Sequence, residues 1–89
     1  MINKLIAEFL GTALFIYVVL STGDAVAIGL ALMTVIFILG KQSGGHFNPA
    51  ITAVLTFAGK HKMKEFAPYV LAQIAGGLAA LELYKRVKF

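Results

Sequence analysis

Cysteine is absent from this 89-residue chain, and Asp and Glu number only 4 against 8 Lys and Arg. Without Cys there is neither a disulfide framework nor a thiolate metal site, and nothing indicates a redox compartment. The 2 histidines, His46 and His61, stand apart and make no metal-ligand spacing. No nucleophile is paired with a base. Gly44-Gly45 lacks the Lys and Ser or Thr that follow in a phosphate loop. These absences argue against an enzyme and against any cofactor or metal. Short internal repeats and linkers are also missing, so residues 1–89 read as one unit.

The chain is 60% hydrophobic and 13% charged, with a mean hydropathy of +0.87. A soluble domain of this length leaves much of its surface wet and could not hide so many Leu, Ile, Val and Phe. A lipid bilayer can, so a membrane protein is expected. The net charge of +4 does not point to nucleic acid, because the bases sit at the ends of apolar segments and not along one face. Met1 to Ala25 has the outline of a signal peptide, with Lys4 ahead of an apolar core. Glu8 interrupts that core and further spans follow, which argues against cleavage.

Three transmembrane helices are expected, over about 5–22, 25–41 and 65–84. Leu5 to Leu20 is apolar apart from Glu8 and Thr12, and Ser21-Thr22-Gly23-Asp24 reads as a polar turn. Ala25 to Leu39 has Thr34 as its polar side chain. Phe66 to Tyr84 carries Gln73, Glu82 and a small-residue stripe of Ala72, Ala75, Gly76, Ala79 and Ala80. Gly11, Gly29, Gly76 and Gly77 read as sites of close helix approach.

Residues 42–59 read differently. Gly40 to Phe47 is expected to be irregular, since its 3 glycines and Ser disfavour helix and no strand alternation appears. Asn48 is a favoured helix N-cap and Pro49 a favoured first helical residue, so Asn48-Pro49-Ala50 has the chemistry of a helix start. A helix from Pro49 to Gly59 would be roughly 16 Å long, near half of a ~30 Å hydrocarbon core. About six extended residues before it reach roughly 20 Å, enough to bring the chain from the surface to mid-membrane. The expectation is a re-entrant loop and half-helix that returns to the surface at Lys60, Lys62 and Lys64. Those lysines read as solvated topology signals and His61 as a residue in water. The charges put Lys4, Lys41, Lys60, Lys62 and Lys64 on one side, with Asp24, Lys85, Arg86 and Lys88 on the other. That distribution favours a cytoplasmic N-terminus in a plasma or cytoplasmic membrane.

Irregular backbone at membrane depth is tolerated where protein buries it or water wets it. Gly44, Gly45, His46 and Phe47 are therefore expected to line a cavity with their carbonyls. Glu8, an ionisable residue inside a span, is a functional candidate by default, with a snorkelling edge carboxylate as the plainer alternative. Gln73 could brace the loop or serve as interhelical glue.

Ala7-Glu8-Phe9-Leu10-Gly11-Thr12, then Ser43-Gly44-Gly45-His46-Phe47-Asn48-Pro49-Ala50-Ile51-Thr52, then Ala72-Gln73 with Gly76 resemble the aquaporin, or major intrinsic protein, family. The likeness runs from about Ala7 to Tyr84. It implies one half of an inverted repeat, in which two such halves meet at their Asn-Pro-Ala half-helices around a pore. It also implies that Glu8 accepts hydrogen bonds from the loop backbone. Ile51 stands where the family's second half carries Arg after Asn-Pro-Ala. Ile28 falls where water-selective members carry Phe and glycerol facilitators Trp.

The leading expectation is a channel half-unit for passive passage of water or a small neutral solute such as glycerol. Its pore residues would be Gly44, Gly45, His46, Phe47, Asn48, Pro49, Ala50, Ile28 and Ile51, with Glu8 and Gln73 supporting the loop. A second half, an inverted copy or a separate chain, would complete the pore, and a higher oligomer is compatible with this. The alternatives are a small dual-topology proton-coupled transporter using Glu8, and a truncated aquaporin fragment without activity.

Overall fold

A computed structural model describes residues 1–87. Helix α1 spans Ile2–Thr22, α2 Ala25–Ser43, α3 Pro49–Phe57 and α4 Phe66–Arg86, and a 3₁₀ turn at Met63–Glu65 leads into α4. No strand occurs among the described residues. Three stretches, Ile2–Thr22, Ala25–Ser43 and Met63–Arg86, are long and apolar enough to cross a membrane. Helix α3 is not: its 9 residues rise about 13 Å. The architecture is all-α, three candidate spans and one short helix, as expected.

Several boundaries differ from the reading of local propensity. Ser21 and Thr22 belong to α1, so the first turn is only Gly23-Asp24. Asp24 caps α2 by accepting from the Ala27 N–H at 2.8 Å. Gly40 to Ser43, expected to be irregular, continues α2 to a left-handed cap at Gly44. The half-helix stops at Phe57, two residues short of Gly59. The exit charge Lys88 lies outside the described residues.

Helix α1 is central, packed against both α2 and α4, while α3 lies against α4. The face α4 turns inward is Tyr69, Gln73, Gly76 and Ala80, at helical spacing; Ala75 and Ala79 of the expected stripe are exposed instead. At Gly76 a Cβ would collide with the Phe9 carbonyl oxygen of α1, so glycine is required for this crossing. Gly29 makes no such approach, having nothing within 4 Å of the place a Cβ would occupy.

Large apolar side chains point outward, Phe37 at 85% exposure among them. The interior holds, beside Ala7, Val35, Phe47, Tyr69 and Ala80, the polar residues Glu8, Thr12, Ser43, His46, Thr52, Thr56, Glu65 and Gln73. This inversion follows from the solvent: lipid tails are as apolar as Leu, so nothing drives Leu inward, whereas unpaired polar groups are expelled from lipid.

Candidate functional site

The segment between α2 and α3 is built from left-handed residues. Gly44 (φ 95°) ends α2 with its N–H on the Gly40 carbonyl at 2.7 Å, and Gly45 follows at φ 70°. Phe47 is also left-handed, at φ 54°, a conformation unfavourable for a residue with a Cβ. Two contacts hold it there. Its N–H donates to Glu8 Oε1 at 2.8 Å, and its ring is seated on Gly11 of α1, where any Cβ would intrude into the ring.

Glu8 is fully buried, which removes the surface-edge alternative. Its Oε2 accepts from Ser43 Oγ at 2.6 Å and from the His46 N–H at 3.1 Å. Its Oε1 accepts from the Phe47 N–H and from Gln73 Nε2, both at 2.8 Å. Charge-assisted bonds of this kind are the strong ones, and these tie α1, the end of α2, the loop and α4 to one side chain.

Gln73 does more than bridge two helices. Its Nε2 also donates to Thr52 Oγ1 on α3 at 2.8 Å, and Thr52 Oγ1 lies 2.8 Å from His46 Nδ1. Tyr69 Oη donates to the Ser43 carbonyl at 2.6 Å, satisfying the last residue of α2. Thr52, Ser43 and Tyr69 were missed from sequence. Tyr69 could have been found, since it precedes Gln73 by four on the same helix face; Thr52 meets Gln73 only in the folded chain.

The His46 and His61 ring centroids lie 4.7 Å apart, and His61 to Tyr69 is 4.4 Å. His46 precedes α3 and His61 follows it, so the chain goes in and returns to the same end. His61 is therefore not a residue in water. Its side chain is only 8% exposed, and its Nε2 stands 3.8 Å from Glu65 Oε1. Glu65 Oε2 is held by Lys4 Nζ at 2.9 Å, which brings the start of α1 to this end as well. Burial pushes the His46 pKa below its ordinary value, opposed by the nearby Glu8 carboxylate.

At the tip of α3, Asn48 Oδ1 accepts from the Ala50 N–H at 2.8 Å, with Pro49 in the first turn. Spending Oδ1 on the cap leaves the amide nitrogen to donate outward. Asn48 and Pro49 form one end of an open cavity of about 390 Å³ between α1 and α4, walled by Phe15, Leu20, Ile74 and Leu78. Thr12 and Gln73 also line it. Thr12 Oγ1 and Gln73 Oε1 are buried and have no hydrogen-bond partner among the described residues.

The remaining candidates scatter. Ala50 and Ile51 face a separate shallow hollow with Val54 and Leu55, not the cavity at Asn48. Ile28 is half-buried near the start of α2, about 22 Å along that helix from Ser43. Gly44 is exposed and Gly45 half-exposed, while His46 and Phe47 are buried, Phe47 lining the cavity at Asn48.

The family described as Major intrinsic protein matches residues 1–88. The chain is 39% identical to Aquaporin Z of Brucella melitensis biotype 1 over 90% of its own length and 42% of that protein. It is 39% identical to Aquaporin Z of Photorhabdus laumondii over 94% of itself and 43% of that protein. With Aquaglyceroporin AqpS of Rhizobium meliloti it shares 33% identity, over 91% of itself and 42% of that relative. The chain thus spans less than half the length of these relatives, yet nearly all of it matches. With its span-length apolar helices and a loop held by a buried carboxylate, it is an integral membrane protein and belongs to the major intrinsic protein family.

Proposed function

We propose that the chain is one half of a passive channel for water or a small neutral solute such as glycerol. The observation that carries this reading is the tip of α3, where Asn48 uses its oxygen as a cap and keeps its amide hydrogens for a ligand oxygen. Carbonyls of the loop from Gly44 to Phe47 supply acceptors leading to it. A water whose oxygen takes the Asn48 hydrogens cannot also accept a proton along the file. The partial positive charge at the start of α3 opposes hydronium in addition. Glu8 and Gln73 act as supports of the loop, with the N-terminus cytoplasmic.

A single copy leaves the cavity between α1 and α4 open on one side, with Asn48 and Pro49 at its floor. The reading therefore includes a second half, an inverted copy or a separate chain, seated against this cavity. The proton-coupled alternative fits less well. Glu8 has both oxygens occupied and 0% exposure, which leaves a cycling proton no route.

Stopped-flow swelling of liposomes holding the purified chain tests this. Water permeability well above empty liposomes, without proton flux and lost in Asn48→Leu, is the expected result, and a glycerol gradient identifies the solute. Proton-driven uptake abolished by Glu8→Gln would replace the channel with the transporter. Insertion in a single orientation would eliminate the inverted homodimer.

A further inference from the structure

Hydrogen positions along the buried chain from Glu8 to His46 follow from which groups can donate. Gln73 Nε2 is 2.8 Å from Glu8 Oε1, and that carboxylate oxygen already takes the Phe47 N–H. A carboxylate only accepts, so the nitrogen of the Gln73 amide must face it; the flipped amide would press two oxygens together. The second amide hydrogen goes to Thr52 Oγ1, also at 2.8 Å. Both amide hydrogens are then used, and the amide oxygen, Gln73 Oε1, is turned away from the carboxylate and has no partner among the described residues.

Thr52 Oγ1, an acceptor toward Gln73, has one proton to give. His46 Nδ1, at 2.8 Å, is its remaining partner among the described residues. A ring nitrogen that accepts carries no hydrogen, so the proton of the neutral imidazole sits on Nε2. Burial lowers the His46 pKa and so favours the neutral ring, opposed by the Glu8 and Glu65 carboxylates. Nε2 in turn lies over the glycine loop, 3.4 Å from where a Cβ on Gly44 would be.

We propose that Thr52 is a positioning residue that holds His46 as the Nε2–H tautomer by donating to Nδ1, so that the ring offers a donor beside Gly44 at the start of the loop. Glu8 sets the direction of the whole series through Gln73. On the channel reading, the Nε2–H adds a donor at the Gly44 end of a loop whose carbonyls only accept. This consequence for permeation rests on the channel reading above; the tautomer does not.

Solid-state nitrogen-15 spectra of the chain in lipid bilayers, with His46 assigned through its link to Gly45, provide the test. The expected result is a protonated Nε2 and an unprotonated Nδ1 shifted by a strong hydrogen bond. Thr52→Val, close to isosteric, should move the Nδ1 resonance to that of a free, unprotonated nitrogen, and Thr52→Ser should return it. A proton on Nδ1 in the unsubstituted chain overturns the proposal, and so does an Nδ1 resonance unmoved by Thr52→Val. The unsubstituted spectrum decides alone if the valine variant does not fold. In swelling assays Thr52→Val should lose about five-fold in water permeability, the effect of one net hydrogen bond. Absence of water flux in the unsubstituted chain would sink the channel reading while leaving the spectrum to judge the tautomer.

Discussion

Around Glu8, at the end of the bundle that carries Lys4 and Glu65, hydroxyl, amide, imidazole and backbone groups of α1, α2, the loop, α3 and α4 are matched donor to acceptor, with the buried His61 Nε2 as the exception among the described residues. Farther along α1 and α4, toward Leu20 and Leu81, the same two helices wall an open cavity, and two buried oxygens, Thr12 Oγ1 and Gln73 Oε1, lack partners. Gln73 belongs to both regions: its nitrogen completes the paired one and its oxygen looks into the other. Unpaired polar atoms are expensive in lipid, so the first region has the chemistry of a finished interior and the second that of a surface awaiting a partner. On the reading proposed above, the open region is where a second half would sit.

The largest effect should come from dismantling the paired region at its centre. Glu8→Leu removes the acceptor of Ser43 Oγ, the His46 and Phe47 N–H groups and Gln73 Nε2 together. At roughly 1–3 kcal/mol for each buried donor left unmatched, a loss of about 4 kcal/mol or more is expected. Denaturation in mixed micelles, followed by helical circular dichroism, would measure it. A loss under 1 kcal/mol would mean that the loop holds its shape without the carboxylate.

Next come the two glycines that permit the close approaches. Gly76→Ala sets a methyl against the Phe9 backbone of α1, which cannot turn aside, and Gly11→Ala sets one into the Phe47 ring. Overpacking costs typically about 1–3 kcal/mol, and the backbone clash should be the worse of the two. The same titration ranks them. Gly11→Ala should also lower water permeability, because the displaced ring carries Asn48 with it.

What could be read from the sequence followed from covalent chemistry or strong local preference. Glu8 stood out because a charge inside an apolar helix demands a reason, and Asn48-Pro49 because a cap and a fixed φ make a helix start. What could not be read came from contacts between distant segments. Gly40 and Ser43 disfavour helix, yet α2 continues because Tyr69 binds the Ser43 carbonyl and Gly44 takes the left-handed cap. His61 sits among lysines and suggested a wet turn, but it packs on His46 and Tyr69. Ala75 and Ala79 are small like the true inner face, and size alone does not separate them from Gly76 and Ala80. Thr52, one of several Thr in apolar helix, became distinctive only when Gln73 of α4 was seen to reach it.

The smallest effect belongs to the open region and is the sharpest control on the glycine argument. Gly77 neighbours Gly76 in sequence but turns toward the cavity, where a Cβ would meet only Ile16 Cγ1, at an ordinary 3.8 Å. Gly77→Ala therefore adds no clash and removes the conformational freedom of glycine from the middle of α4. A gain of up to ~1 kcal/mol is expected in the titration that registers a loss for Gly76→Ala. If the partner half packs closely over the cavity, that added methyl should weaken association while leaving the single chain intact, and cross-linking yields in bilayers would report it. Equal losses for the two glycines would instead mean that α4 tolerates no methyl on either face, and the contrast between a closed and an open region would fail at the helix they share.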